Sequence, residues 1–283
     1  MLKIILSLLS LVVLASAQPD PPKTGAVALR FEERHPESAV KVQGRRLKWT
    51  PAFIKKHDPV GEYDLAKESF TALVPKTYDK KHKYGLFVWV SPVDNIGVEP
   101  QWRSWAPHLD ERRIIAVSAN NAGNERFVWY RIGLALDAAH NMPKLYNIDP
   151  ARIWIGGVSG GGRVASTVTA HYPEIFAGGY YQAGCNWYRE VKSKKGRKWP
   201  RRIPRPTPGR LAKAKKQTRH VFFCGSKDFN RDHSKAVYDD MKRQRYRHTV
   251  WQEAPGLGHV LAPPDWFEKG LAHLDAAAKP KPK

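Results

Sequence analysis

The hydrophobic positions of the chain form short continuous runs, bounded by glycine, proline or charged residues. The run 86–90 (Leu-Phe-Val-Trp-Val) lies between Gly85 and Pro92, which is typical of a strand buried on both faces of a sheet. Six further strands are predicted from comparable runs, at 69–75, 113–118, 153–157, 176–183, 220–224 and 249–253.

Between these runs, several stretches have the apolar spacing of a helix. In the segment 125–141 five apolar residues share one broad helical face: Val128, Ile132, Leu134, Leu136 and Ala139. Further helices are predicted at 163–171, 234–245 and 264–278. Because strands alternate with helices, the sequence predicts an α/β fold. Its central sheet is mostly parallel and has helices on both faces.

The two ends of the chain have compositions of their own. Residues 1–17 carry one lysine, a short apolar run and small residues up to Ala17, the pattern of a cleaved signal peptide. The run is too short to span a bilayer, so we predict a secreted or periplasmic protein without a transmembrane anchor. Residues 18–65 are predicted to form an N-terminal extension with irregular or edge-strand structure. The main domain is expected at 66–278, and the Lys-Pro tail 279–283 is predicted to be disordered.

The basic charge of the chain is concentrated in one segment. The sequence has 48 Lys and Arg against 26 Asp and Glu, and residues 189–219 hold fourteen basic residues but one acid, Glu190. Prolines at 200, 204, 206 and 208 exclude a continuous helix, so we interpret 189–219 as a basic insert between two core strands. It either solubilises the protein or attracts an acidic polysaccharide or envelope surface. No pattern of a specific nucleic-acid module is present.

The two cysteines are too few for a disulfide scaffold or a four-cysteine zinc site. Cys185 and Cys224 each lie at the end of a predicted core strand. Export would expose them to an oxidising compartment, so a disulfide and two buried free thiols both remain open.

The strongest chemical motif is the pentapeptide 157–161, Gly-Val-Ser-Gly-Gly. It matches Gly-x-Ser-x-Gly and lies between a predicted buried strand and a predicted helix, the context that this motif requires. The sharp turn places Ser159 above the sheet at a helix N-terminus, which makes it the candidate nucleophile. No phosphate-binding loop of the Gly-x-x-x-x-Gly-Lys type is present.

A serine nucleophile needs a base and an acid that orients the base. His259 lies in a Gly-Leu-Gly-His-Val loop after the last strand, where parallel sheets place their chemistry. The order Ser, Asp, His requires an acid between Ser159 and His259. Asp228 follows a strand end and is our candidate, with Asp232 as the alternative. Asp239 and Asp240 fall within a predicted helix, where we expect them to be solvated.

These segments resemble the α/β-hydrolase superfamily, in particular the exported esterases related to polyhydroxybutyrate depolymerases and feruloyl esterases. The resemblance rests on residues 149–162, 225–228 and 258–259, and extends from about 70 to 274. It implies an α/β-hydrolase fold with Ser159 as nucleophile, Asp228 as orienting acid and His259 as base. No metal or organic cofactor is implied.

The resemblance also implies an oxyanion hole formed by the N–H of Gly160 and an N–H after the strand 86–90. Relatives commonly have His-Gly there, whereas this chain has Ser91-Pro92-Val93. Proline has no N–H, so Val93 is the expected second donor.

Aromatic residues are predicted near the same edge of the sheet. Trp187 and Tyr188 follow the strand 176–183 and either form a substrate-binding wall or are partly buried. For Trp102 and Trp105 we favour ordinary burial.

The sequence therefore predicts a secreted serine carboxylic-ester hydrolase that acts through an acyl-enzyme on an ester substrate. A serine peptidase or acyltransferase would use the same residues. A polyanion-binding or envelope-binding protein with weak or lost catalysis is the alternative from another class.

Overall fold

A computed structural model describes residues 23–57 and 61–276 of the chain. The predicted signal peptide at 1–17 and the tail at 279–283 lie outside the described residues. Among the helices of the described part, none is both long and apolar enough to cross a membrane.

Eight strands form one central sheet in the order β1-β2-β4-β3-β5-β6-β9-β10. β1 and β2 pair antiparallel with each other, and β2 pairs antiparallel with β4; the remaining neighbours are parallel. The predicted α/β class with a mostly parallel sheet is therefore confirmed. The strands are β1 Gly25–Leu29, β2 Phe70–Val74, β3 Tyr84–Val90, β4 Ile114–Ala119, β5 Ile148–Val158, β6 Gly178–Gln182, β9 Arg219–Gly225 and β10 His248–Ala254.

Helices pack on both faces of this sheet. The alternation along β3 shows the two layers, because Leu86, Val88 and Val90 join one apolar cluster while Phe87 and Trp89 join the other. The first cluster also takes residues from α1, α5, α6, α7 and α8, and the second from α3, α4 and α9. The helices are α1 Val40–Arg46, α2 Pro51–His57, α3 Pro100–Arg103, α4 Ala106–Glu111, α5 Val128–Leu145, α6 Gly160–His171, α7 Pro208–Lys216, α8 Arg231–Arg243 and α9 Pro264–Asp275.

The predicted N-terminal extension contains more regular structure than the sequence indicated. β1 is an edge strand, as expected for part of 18–65, but α1 and α2 are helices that the pattern did not predict. The same is true of α3 and α4, between β3 and β4. Each of these four helices has seven residues or fewer, so none offers enough turns for a helical period to be recognised.

The basic insert, residues 189–219, lies between β6 and β9. It contains a short antiparallel pair, β7 Val191–Lys192 with β8 Lys198–Trp199, and then α7, which starts at Pro208. The Nε2 atom of His171, the last residue of α6, contacts the carbonyl oxygen of Pro204 at 3.1 Å. Burial lowers the pKa of His171 to about 4, so this contact is made by a neutral imidazole with Nε2–H as donor.

Both cysteines are free and buried. Burial raises the pKa of the Cys185 and Cys224 thiols to about 12, so both are protonated at neutral pH. Of the two possibilities that the sequence left open, the structure shows the buried free thiols.

Candidate active site

Ser159 occupies the turn that joins β5 to α6. Its φ of 54° and ψ of −116° lie outside the regions that residues with a side chain normally adopt, which is the strained geometry expected of a nucleophile elbow. Its N–H donates to the carbonyl oxygen of Gln182 at 2.8 Å and fixes the turn against β6. The half-buried Ser159 hydroxyl makes no hydrogen bond to any described residue. It is therefore available to a substrate.

The glycines on either side of Ser159 are required by close backbone contacts. A Cβ on Gly157 would lie 2.4 Å from the carbonyl carbon of Gly161, and a Cβ on Gly161 would lie 1.8 Å from the Val90 carbonyl oxygen. Backbone atoms cannot move aside as a flexible side chain can. The Gly-x-Ser-x-Gly spacing is thus a packing requirement of this turn.

Asp228 and His259 contact each other directly. The Nδ1 atom of His259 lies 3.1 and 3.2 Å from the two carboxylate oxygens of Asp228. The Asp228 side chain is fully buried and also accepts the Asn230 N–H at 2.7 Å, whereas the His259 side chain is 26% exposed. This contact favours the tautomer with the proton on Nδ1, which leaves Nε2 as an acceptor.

The alternative acids occupy other positions. Asp232 lies in the first turn of α8, is exposed and pairs with Arg231. Asp239 is partly exposed and pairs with Lys235, close to the expectation of a solvated helix residue. The same expectation is wrong for Asp240, which is buried and accepts the Trp187 Nε1–H at 2.8 Å.

The Ser159 turn and the Asp228 loop are connected through Asn230. Its Nδ2 donates to the carbonyl oxygen of Ala183 at 2.9 Å, and its Oδ1 accepts from Arg163 at 3.2 Å. Ala183 directly follows β6, the strand that fixes the Ser159 N–H. Ser159, Asp228 and His259 thus follow β5, β9 and β10, at one edge of the sheet. No hydrogen bond joins the Ser159 hydroxyl to His259 in this structure.

Of the two N–H groups expected to donate to the oxyanion, one has no acceptor in this structure and the other already has one. The Gly160 N–H, in the first turn of α6, donates to no acceptor among the described residues. The Val93 N–H instead donates to the Ser91 hydroxyl at 3.0 Å. Rotation of the Ser91 side chain would release it, so the role of Val93 stays a prediction.

A buried arginine supports this loop from behind. One Arg131 nitrogen donates to the Ser91 carbonyl oxygen at 2.9 Å and another to Asn124 Oδ1 at 3.3 Å. The Asn124 N–H in turn donates to the Pro92 carbonyl oxygen at 2.8 Å. Burial lowers the pKa of Arg131 to about 10, although Asp94 opposes this change, so the guanidinium is charged at neutral pH.

Neither Arg131 nor Asn124 was predicted from the sequence as part of the site. Arg131 did leave a signal, because it lies three residues after Val128 on the apolar face of α5, where a lone cation is unusual. Asn124 lies in the loop before α5 and has no distinguishing pattern.

The loop that carries His259 is anchored on two sides through Ala262. The Ala262 N–H donates to Gln182 Oε1 at 2.9 Å, and its carbonyl oxygen accepts the Trp105 Nε1–H at 3.0 Å. The Trp105 ring also stacks on the Phe267 ring, with 3.8 Å between the ring centres. Trp102 and Trp105 are both fully buried, as favoured from the sequence.

The structure places Trp187 and Tyr188 in the core rather than in a cleft. Their exposed fractions are 5% and 4%. The Trp187 Nε1–H donates a hydrogen bond to Asp240, and the Tyr188 hydroxyl lies 3.4 Å from that of Tyr246. Of the two interpretations left open for this pair, the placement favours burial over a substrate-binding wall.

No protein-family profile and no curated protein sequence matches the chain. Solved structures nevertheless share its fold. Est1E from Butyrivibrio proteoclasticus, also solved with ferulic acid bound, is 15% identical, with a TM-score of 0.55 over 77% of this chain and 98% of that one. S-formylglutathione hydrolase (FrmB) from Staphylococcus aureus is 12% identical, with a TM-score of 0.56 over 73% and 92%.

The feruloyl esterase module from Clostridium thermocellum, complexed with sinapinate, is 14% identical, with a TM-score of 0.52 over 73% of this chain and 81% of that one. At such low identity these likenesses establish the fold, which is the α/β-hydrolase fold predicted from the sequence. The fold alone does not determine the chemistry, which depends on the residues of the site.

Proposed function

We propose that this protein, which has the α/β-hydrolase fold, is a serine carboxylic-ester hydrolase. Its nucleophile is Ser159, its base is His259 and its orienting acid is Asp228. The observation that supports it best is the combination of a strained Ser159 turn with an Asp228–His259 pair at the same edge of the sheet. A serine without such a base would be a weak nucleophile at neutral pH.

In the proposed reaction, His259 Nε2 accepts the Ser159 proton while Oγ attacks the ester carbonyl carbon. Asp228 holds the imidazole through Nδ1 and stabilises the imidazolium that forms. The Gly160 N–H donates to the oxyanion of the tetrahedral intermediate. The imidazolium then protonates the leaving alcohol, and the acyl group remains on Ser159. A water molecule, deprotonated by His259, releases the acid and restores the enzyme.

The proposal includes export of the mature chain, which rests on the signal-peptide pattern of residues 1–17. Polymeric esters of the kind that polyhydroxybutyrate depolymerases and feruloyl esterases cleave are then candidate substrates. The panel of esters for the first assay should therefore contain both aliphatic and feruloyl esters.

The test compares the mature chain with Ser159→Ala on para-nitrophenyl acetate, butyrate and octanoate and on methyl ferulate. We expect hydrolysis by the wild type and its loss in Ser159→Ala, because the acyl-enzyme cannot form without Oγ. Asp228→Asn should lower kcat by about a thousandfold or more, since it favours the wrong histidine tautomer.

Asp232→Asn is the matched control, because it removes the same charge from the same region without touching His259. Equal loss of activity in the two Asp variants would contradict the assignment of Asp228. Ester hydrolysis that survives in Ser159→Ala, or is absent from the wild type on every ester, would overturn the proposed function.

A further inference from the structure

A cleft of about 360 Å³ lies beside the proposed catalytic residues and has an unusual lining. Three arginines (Arg163, Arg197 and Arg202) line it together with Trp199, Phe229 and His233. Arg163 comes from α6, four residues after Ser159, whereas Arg197 and Arg202 come from the basic insert. Two separate parts of the chain thus bring cationic side chains to one concave surface.

None of these three guanidinium groups forms an ion pair with a described carboxylate. Arg163 donates to the neutral Asn230 amide oxygen, and Arg197 lies 5.2 Å from the centre of the Trp199 ring. By contrast, Arg231 on the neighbouring α8 pairs with both Asp232 and Glu253. The cleft therefore concentrates positive charge that the protein leaves uncompensated there.

Apart from the three arginines, no described residue that lines the cleft is charged at neutral pH. His233 is buried beside Trp199, with 5.4 Å between the ring centres. Burial, and then the charges of Arg163, Arg202 and Arg197, lower the pKa of His233 to about 4. At neutral pH the imidazole is uncharged and presents an apolar ring face with hydrogen-bonding nitrogens.

Phe229 connects the cleft to the proposed base. Its ring stacks on that of His259 with 4.3 Å between the centres, and its side chain is largely exposed. In the proposed reaction His259 protonates the leaving alcohol, so the alcohol part of an ester leaves next to the His259 ring, which Phe229 contacts. The arginines are therefore placed to meet the alcohol part of the substrate.

We propose that this cleft binds an anionic group on the alcohol part of the ester, in the form of a ring that carries a carboxylate. The arginines hold the carboxylate, and Trp199 and Phe229 contact the ring. This inference rests on the proposed function and specifies its substrate class. A carboxylate suits the site because guanidinium groups bind it through paired hydrogen bonds.

The test uses two esters that differ in one substituent of the ring, the charged carboxylate of para-acetoxybenzoate and the neutral carboxamide of para-acetoxybenzamide. We expect the ratio of their kcat/KM values to favour the anion by about tenfold at low ionic strength and to fall as salt is added. In the double variant Arg197→Gln/Arg202→Gln the ratio should fall by about the same factor.

The matched control is Arg201→Gln/Arg205→Gln, which removes the same charge from exposed positions of the insert that do not line the cleft. It should keep the wild-type ratio. An equal fall in both double variants would show a general effect of net charge and would overturn the proposal.

A second pair of esters distinguishes the two parts of the substrate. The para-nitrophenyl monoester of succinic acid carries its carboxylate on the acyl part, and para-nitrophenyl butyrate is its neutral counterpart. We expect no comparable preference for this anion. A preference confined to this second pair would overturn the assignment of the cleft to the alcohol part.

Binding to the Ser159→Ala variant separates this inference from the proposed function. Calorimetry should show para-hydroxybenzoate binding at least about tenfold more tightly than para-hydroxybenzamide, and the arginine double variant should abolish the difference. If the wild type hydrolyses neutral esters without any anion preference, the inference alone fails. If no ester is hydrolysed, the proposed function fails, and equal binding of the two ligands would overturn the cleft assignment as well.

Discussion

At the scale of single residues, the turn around Ser159 depends on one side-chain contact as well as on its backbone. A Cβ on Gly160 would lie 1.9 Å from Asn124 Oδ1, the atom to which Arg131 donates. Gly160 thus connects the proposed nucleophile turn to the loop of Ser91. The absence of a side chain there lets Asn124 support that loop.

We predict that Gly160→Ala lowers kcat/KM for para-nitrophenyl butyrate by about a hundredfold, because the methyl group displaces Asn124 and moves an oxyanion donor. Asn124→Ala removes the side chain that the methyl group would displace. Adding Gly160→Ala to the Asn124→Ala variant should therefore lower kcat/KM by much less than it does in the wild type. The measurement is a double-mutant cycle on kcat/KM.

Gly209→Ala serves as the control for this cycle, because a Cβ there meets nothing within 4 Å, and its activity should match the wild type. Additive losses in the double variant would show that Gly160 and Asn124 are not coupled.

The sequence was sufficient to nominate Asp228 over Asp232, because Asp228 lies closer to the end of the preceding strand. It was insufficient for Trp187 and Tyr188, whose burial depends on packing against Tyr246 and Asp240, more than fifty residues away. Arg131 was missed for a related reason. Its partners are a loop carbonyl and an amide that only the folded chain brings together.

At the scale of elements, seven strands of the central sheet and the four helices of twelve or more residues could be predicted, because each gives a continuous apolar run or several helical turns. α3 and α4 could not, although α4 packs beside the residues that hold the His259 loop. Trp105, the residue before α4, combines a stacking contact with Phe267 and a hydrogen bond to Ala262.

We predict that Trp105→Phe destabilises the protein by about 1–3 kcal/mol more than Trp102→Phe does. The first variant leaves the Ala262 carbonyl oxygen without its buried donor. The second removes a buried Nε1–H that has no partner among the described residues. Both variants lose the same volume from the core, so urea unfolding of the pair isolates the hydrogen bond.

The Trp105→Phe variant should also lower kcat several-fold, since the His259 loop loses one of its two anchors at Ala262. Equal free energies of unfolding for the two tryptophan variants would contradict this account of the loop.

At the scale of the whole molecule, three buried histidines make stability depend on pH. Burial lowers the pKa of His171 and His233 to about 4 and that of His220 to about 3, from an ordinary value of 6.5. Between these values the unfolded chain binds protons that the folded chain does not. The stability is therefore complete above about pH 6.5 and falls as the pH decreases towards 4.

We predict that the free energy of unfolding decreases by about 2 kcal/mol per histidine between pH 7 and pH 5. His171→Gln keeps an N–H donor for the Pro204 carbonyl oxygen but cannot take up a proton. Between pH 7 and pH 5 the free energy of unfolding of this variant, measured by urea unfolding, should decrease by about 2 kcal/mol less than that of the wild type. An unchanged pH dependence in this variant would contradict the role given to His171.

The position of the basic insert has a consequence for how such proteins diversify. β6 and β9 are adjacent and parallel, with Gly178 opposite Arg219, so the insert is an excursion within a single crossover. Changes in the length or composition of its exposed turn, residues 194–198, leave the register of the sheet intact, because surface insertions cost little loop entropy. Leu211 and Ala214 of α7, by contrast, belong to the core. Substitutions in this turn can therefore change the charge of the proposed anion-binding cleft, which Arg197 lines, and leave the strands before Ser159, Asp228 and His259 unchanged.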